Sequence, residues 1–319
     1  MDRIEIIENW LKSQLNQYFN MELASSDASF RRYFRIIVEN KTYILMDAPP
    51  NLETIDNFIN ITEKLVFHGI NAPKIVSFDI ELGLILMSDF GNQTFLEVLD
   101  NNNAQELYTN AIDSLLNIQV KVDTKELKDY SDKLLINEML LFPEWYLKKF
   151  KNCKLKDQET LNEIFIMISK KSLLQNKRFV HRDYHSRNLM LVNENNPGIL
   201  DYQDAVYGPL SYDLVSLLKD AYIKWDEDFV IDQAVRYWEK ARKIGLIQNE
   251  DFSDFYKNFE WMGVQRHLKI LGIFSRLSIR DKKNQYLKDI PLVEKYLLDT
   301  SERYKDFYPL RRILDKVVS

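Results

Sequence analysis

A single cysteine, Cys153, stands among 319 residues. No disulfide can form within the chain, which points to a reducing compartment and a cytoplasmic location. Glycine and proline number 8 each, and neither gathers into a linker or a low-complexity tract. No internal repeat is present. No apolar run approaches the roughly 20 residues of a membrane span, so no membrane association is expected. The N-terminus, Met1 to Glu8, has acidic residues spread through it and no apolar core, so it does not read as a signal peptide. Without secretion, Asn60-Ile61-Thr62 and Asn92-Gln93-Thr94 are chance matches to the glycosylation sequon. Strong charge of either sign is also missing. The 43 Lys and Arg are scattered against 48 Asp and Glu, net −5, and nothing suggests a nucleic-acid partner. What remains is an ordinary globular mixture, 45% apolar and 29% charged, with enough chain for two lobes.

One stretch carries chemistry. His181-Arg182-Asp183-Tyr184-His185-Ser186-Arg187-Asn188 leads into Leu189-Met190-Leu191, and Gly198-Ile199-Leu200-Asp201-Tyr202-Gln203-Asp204 follows. Phosphoryl transfer asks for little covalent help. It needs a metal ion on the phosphates, positive charge near the transferred group, and a carboxylate that orients and deprotonates the acceptor hydroxyl. Asp183 on a tight loop supplies the carboxylate. Asn188, five residues on, offers a carbonyl oxygen suited to a hard cation, and Asp201 closes an apolar run with a charged one. The pattern predicts a kinase dependent on ATP and Mg²⁺, with Asp183 as base and Asn188 and Asp201 as metal ligands. His181 reads as scaffold, since Asp183 occupies the base position, and His185 is open to either role. Asp213 reads as a residue that braces the loop, with a helix N-cap as the simpler alternative. Asp204 is either a surface charge or a polar contact to acceptor or metal.

The remaining chain should supply a nucleotide cleft and an acceptor pocket. Residues 3–19 predict a helix, with Ile4, Ile7, Trp10, Leu11, Leu15 and Tyr18 on one face. Ala24 to Arg32 are polar and lie between two candidate strands, the second over Tyr33 to Val38, with a turn at Asn40-Lys41 into Thr42 to Met46. Such a hairpin covers ATP phosphates in kinases, usually with glycines. This one has none, and Ser25, Ser26 and Ser29 with Arg31, Arg32 and Arg35 would have to serve; a solvated turn is the plainer alternative. A helix is expected from Thr54 to His68, closed by Gly69, then strands at 74–78 and 84–87. Ser88 to Gly91 would be the hinge, with Met87 and Asp89 at the adenine edge. Asp89-Phe90-Gly91 spells a kinase metal motif on the wrong side of the catalytic loop and reads as coincidence.

Beyond the hinge the pattern turns helical. Leu107, Ala111, Leu115, Ile118 and Val122 mark one amphipathic helix. Two segments should meet near Pro143, and another helix covers 157–175. Gly208-Pro209 reads as a turn, with a helix from Ser211 to about Lys224 and three or more helices after it. One kinase part is missing. The third strand ordinarily carries a lysine for the phosphates, and Tyr43 to Pro49 has Met46 there instead. That gap is the argument for a non-catalytic nucleotide binder.

With these residues in hand the chain resembles the aminoglycoside phosphotransferase superfamily. It is most similar to the bacterial cell-wall sugar kinases that phosphorylate N-acetylmuramate and N-acetylglucosamine at the anomeric C1 hydroxyl. The likeness is carried by Asp27 to Arg35, Leu45 to Pro50, Glu138-Met139 with Phe142 and Trp145, His181 to Met190, Leu200 to Pro209, and Gln265-Arg266-His267-Leu268-Lys269. It implies an α+β, bilobal, protein-kinase-like fold, with a β-rich N-lobe over 1–88 and a helical C-lobe over 89–319. It implies an ATP- and Mg²⁺-dependent sugar kinase in peptidoglycan recycling, acting as a monomer on a small amino sugar. Absence of the strand lysine is normal for these kinases. Glu138, Trp145, Asp204, Arg266 and His267 are the candidate sugar contacts; for Arg266 and His267, a buried structural pair is the alternative. A kinase for another small alcohol or aminoglycoside, and a non-catalytic nucleotide binder, are the competing functions.

Overall fold

The computed structural model describes residues 2–26, 31–154 and 158–318. Its contacts divide the chain into two units, Met1–Val98 with Leu189–Asp204, and Leu99–Asn188 with Ala205–Ser319.

The first unit is built on one antiparallel sheet in the order β1-β2-β3-β5-β4, with β1 Asn20–Ser26, β2 Arg32–Val38, β3 Lys41–Asp47, β4 Ile75–Asp79 and β5 Leu84–Ser88. Along β2 the alternation of a half-buried strand places Phe34, Ile36 and Val38 inward. Helix α1, Arg3–Leu15, lays Ile7, Trp10 and Leu11 against them and against Leu45, Leu84 and Leu86. This helix is shorter than its apolar pattern suggested. Asn16 takes the left-handed conformation at φ 51° and ends it, so Tyr18 falls beyond the end and is 84% exposed. Asp47, with no exposed surface, closes β3 by accepting from Arg3 and Arg32, each at 2.6 Å. Helix α2, Asp56–Phe67, follows, and α3, Phe95–Val98, is a single turn. The short hairpin Leu189–Met190 with Gly198–Ile199 groups with this unit.

The second unit is helical: α4 Ala104–Lys121, α5 Asp132–Met139, α6 Gln158–Leu173, α7 Tyr212–Leu218, α8 Glu227–Lys243, α9 Phe252–Asp281, α10 Ile290–Arg303 and α11 Tyr308–Leu314. The two segments expected around Pro143 are α5 and a π-helical stretch, Phe142–Phe150. The 30-residue α9 is the axis of the unit, packing Trp261, Val264, Leu268, Leu271 and Phe274 with Phe142, Tyr146 and Leu297. Gly208-Pro209 is no turn. It ends the strand Val206–Pro209, which pairs with Lys177–Val180 and Lys128–Asp129. A side chain at Gly208 would sit 2.8 Å from Tyr130 Cβ, so glycine is there for close packing rather than for bending. Helix α7 also stops short of Lys224, at Leu218, where Lys219 leaves helical geometry. No helix among the described residues is long and apolar enough to cross a membrane.

Gly272 lies in the middle of α9, where alanine would ordinarily favour the helix by about 1 kcal/mol. Here a Cβ would come within 2.4 Å of Leu141 Cβ and 2.5 Å of its carbonyl carbon. Gly272→Ala is therefore expected to destabilise the protein by about 1–3 kcal/mol, read as a lowered urea midpoint. A variant more stable than the wild type would refute the close approach.

Candidate active site

In the second unit the strand Lys177–Val180 delivers the chain to His181, and a buried carboxylate holds each end of the loop that follows. Asp213, on the first turn of α7, accepts from the backbone N–H of His181 at 2.6 Å and of Arg182 at 2.9 Å. Burial pushes its carboxyl up to about 7 against those two donors and Arg266. Asp220, just past the same helix, accepts from Ser186 N at 3.0 Å and Ser186 Oγ at 2.5 Å, and its other oxygen takes Tyr222 N. Tyr184 anchors the middle through its hydroxyl on the Ala111 carbonyl, 2.8 Å away. Between these clamps Arg182 takes φ 78°, a conformation arginine adopts only under constraint.

The constraint presents Asp183, whose side chain keeps 42% of its surface. Behind it is a buried cluster. Arg266 on α9 donates to the Arg182 carbonyl at 2.6 Å, and its other nitrogen lies 3.8 Å from Asp183 Oδ1. Lys269, one turn on, reaches Tyr212 Oη at 3.1 Å and Glu138 Oε1 at 3.0 Å. Glu138 also accepts from Arg182, Tyr130 and Gln265. Desolvation alone would raise the Asp183 carboxyl, but Lys269, Arg266, His185 and Arg182 outweigh it and hold the group at about 2. Glu138 is likewise held at about 2, where Lys269 and Arg182 overcome its burial. Asp183 is thus held ionised around neutral pH. Asn188 turns its amide nitrogen to the Asp183 carbonyl at 3.0 Å, which makes the oxygen the end with the chemistry for a hard cation.

In the first unit Asp201 takes φ 65° at the close of the hairpin. Gln203 donates to its Oδ1 at 2.8 Å. The turn is secured to α2: Tyr202 stacks on Phe58 and meets Thr62 Oγ1 at 2.9 Å, and Asn57 donates to the Gln203 carbonyl. The Asp201 carboxylate and the Asn188 amide oxygen are each hard donors, of the kind that suits Mg²⁺ and not a soft metal.

The other expected contacts are dispersed. Ser26 ends β1, and Ser29 lies outside the described residues. Arg31 pairs with Glu53 and Arg32 with Asp47. Met87 lies within β5 between two strands, and Asp89 is held by Arg35 at 2.6 Å and by Gly91 N at 2.8 Å. Asp204 is exposed. Trp145 is half-buried under Lys149, whose nitrogen lies 3.3 Å from its ring centre. Arg266 joins the loop, whereas Glu138 is committed to internal partners. His267 turns Nε2 to the Lys219 carbonyl at 3.1 Å and stacks on Tyr296; burial holds it neutral, at about 3. Sequence reasoning did not reach Asp220 or Tyr130, and Lys269 entered only as part of a motif. Apart from their polarity in apolar stretches they give no signal.

The model of the phosphotransferase enzyme family matches residues 20–245. A Neisseria meningitidis protein named N-acetylmuramate/N-acetylglucosamine kinase is 40% identical, the match covering 100% of this chain and 97% of that protein. A Pseudomonas aeruginosa protein of the same name is 41% identical over 98% of this chain and 96% of its own length. Among solved structures, choline kinase LicA from Streptococcus pneumoniae superposes with a TM-score of 0.67 at 13% identity, covering 93% of this chain and 100% of that one. A spectinomycin phosphotransferase holding ADP and spectinomycin gives 0.62 at 14% identity, over 91% and 93%. A β-rich first unit and a helical second are thus the α+β kinase-like fold these enzymes share. By the family match and the full-length likeness, the chain belongs to the phosphotransferase enzyme family.

Proposed function

We propose that the chain is an ATP- and Mg²⁺-dependent kinase acting on the anomeric C1 hydroxyl of N-acetylmuramate, N-acetylglucosamine or both, in peptidoglycan recycling. The observation that carries this reading is the full-length likeness to proteins of that name. The state of Asp183 agrees with it. A carboxylate held at about 2 is a weak base, and a hemiacetal hydroxyl is more acidic than an ordinary alcohol, so modest assistance suffices.

Asp183 accepts the hydroxyl proton as the sugar oxygen bonds to the terminal phosphorus and the bond to ADP breaks. Asn188 and Asp201 would each offer an oxygen to the metal, which when bound would neutralise charge on the phosphates. Nucleotide contacts are assigned, on sequence position, to Ser26, Ser29, Arg31, Arg32, Met87 and Asp89, and acceptor contacts to Trp145, Asp204 and Arg266. The reading carries with it a monomer in the cytoplasm, where ATP is available. Incubation with ATP, Mg²⁺ and a panel of N-acetylated sugars, choline and aminoglycosides, following ADP release, tests it. Acid-labile sugar phosphate from the N-acetylated sugars is the expected product. Turnover of only the other alcohols, or none, would reject the reading.

A further inference from the structure

We propose that Arg187 is the cation that recognises a carboxylate on the acceptor sugar, and so sets which sugar is preferred; this rests on the sugar-kinase reading. Arg187 follows the base by four positions on the same loop. Its guanidinium carbon lies 3.7 Å from the ring centre of Tyr222 and 5.8 Å from that of Tyr286. The side chain is half-buried, and among the described residues no hydrogen bond or ion pair holds its charged end. The neighbouring cations differ. Arg182 and Lys269 pair with Glu138, and Arg266 with the Arg182 carbonyl. Burial raises the Asp289 carboxyl and the nearby Arg187 only partly offsets it, and among the described residues no ion pair joins the two.

A guanidinium lying against aromatic rings keeps its N–H donors in its own plane. That fork matches the two oxygens of a carboxylate. The surroundings favour a sugar as the carrier. Tyr222 meets His185 edge-on at 5.3 Å and Phe274 at 5.9 Å, and Phe274 meets Tyr286 at 5.1 Å. His185 and Phe274 are buried, so the half-buried Tyr222 and Tyr286 are the rings left to pack against the C–H face of a sugar, whereas a nucleotide phosphate asks only for charge. The two sugars in the relatives' name differ chemically at this point. N-acetylmuramate carries a lactyl ether ending in a carboxylate, and N-acetylglucosamine carries a free hydroxyl.

The test compares wild type and Arg187→Met on N-acetylmuramate, its methyl ester and N-acetylglucosamine, with the KM for ATP and a thermal melt for each protein. Methionine keeps an apolar stem against Tyr222. In the variant kcat/KM for N-acetylmuramate should fall about 10- to 100-fold, and for N-acetylglucosamine by less than about 3-fold. The wild type should lose on the methyl ester what the variant loses on the acid, and Arg187→Lys should restore only part. Equal losses on both sugars, indifference of the wild type to the ester, or a raised ATP KM would overturn the inference, the last by assigning Arg187 to a nucleotide phosphate. Wild-type turnover of N-acetylglucosamine alone would overturn it and leave the kinase reading intact. Turnover of neither sugar by the wild type would overturn both.

Discussion

Replacing Asp183 by asparagine should lower kcat about 10²- to 10⁴-fold, the range for loss of a positioned general base, with little change in the KM for ATP. Asparagine keeps the size of the side chain and one of its oxygens. The Asp213 and Asp220 clamps act on the neighbouring backbone and do not depend on it. What is lost is the proton acceptor and the charge facing Arg266 and Lys269. The wild-type pH profile is an independent check. A base held at about 2 contributes no acid limb to kcat/KM, so any fall in activity between about pH 8 and about pH 5 should follow the Asp213 carboxyl, which burial pushes up to about 7, and not Asp183. A fall of less than about 10-fold in the variant would move the base to another residue. A wild-type limb near the ordinary carboxylate range would show that the buried cations do not set the ionisation of Asp183.

Why this site was visible in the sequence, and its support was not, follows from how far apart the residues lie. Asp183 and Asn188 share one tight loop, so their spacing alone is enough to single them out. Asp213 was legible as a brace because it opens a helix soon after the motif. The cluster behind the base is different. Glu138 on α5 and Lys269 on α9 meet near the place where Gly272 lets α9 approach Leu141 closely. An ion pair between distant helices leaves no period in either helix. Lys269 enters the sequence reading only as part of a motif, and Glu138 only as a candidate sugar contact. In the structure its carboxylate has four partners within the protein. Element ends failed for local reasons. Tyr18 continued the period of α1 but lies past a left-handed asparagine, and Gly208-Pro209 looked like a turn because glycine at a close approach has the same signature as glycine in a bend. Arg187 was read only as part of the motif, since only the placed neighbours show that it lies on Tyr222 with no hydrogen bond or ion pair to a described residue at its charged end.

Removing the Glu138 carboxylate should cost the most stability of any single change at the site. In Glu138→Ala, Lys269 and Arg182 lose their shared counter-charge, with their side chains only 7% and 20% exposed, and Tyr130 and Gln265 lose their acceptor. Truncating one partner of a buried pair leaves charge uncompensated, and about 3–5 kcal/mol is expected, read as a lowered urea midpoint at neutral pH. Glu138→Gln separates charge from shape, and its pH dependence has a definite sign. The folded carboxyl is held at about 2, below its ordinary value of 4.5, so its contribution is full above about 4.5 and disappears as pH falls towards 2. The gap between wild type and the glutamine variant should therefore be widest near neutrality and close on acidification through that window. A gap that stayed constant down to about pH 2 would mean that Glu138 acts by packing alone. The same cations lower Asp183, so the pair also links stability to the ionisation of Asp183. Without Glu138 their field at the base is less balanced, and any variant that still folds should hold Asp183 ionised at least as firmly as the wild type does.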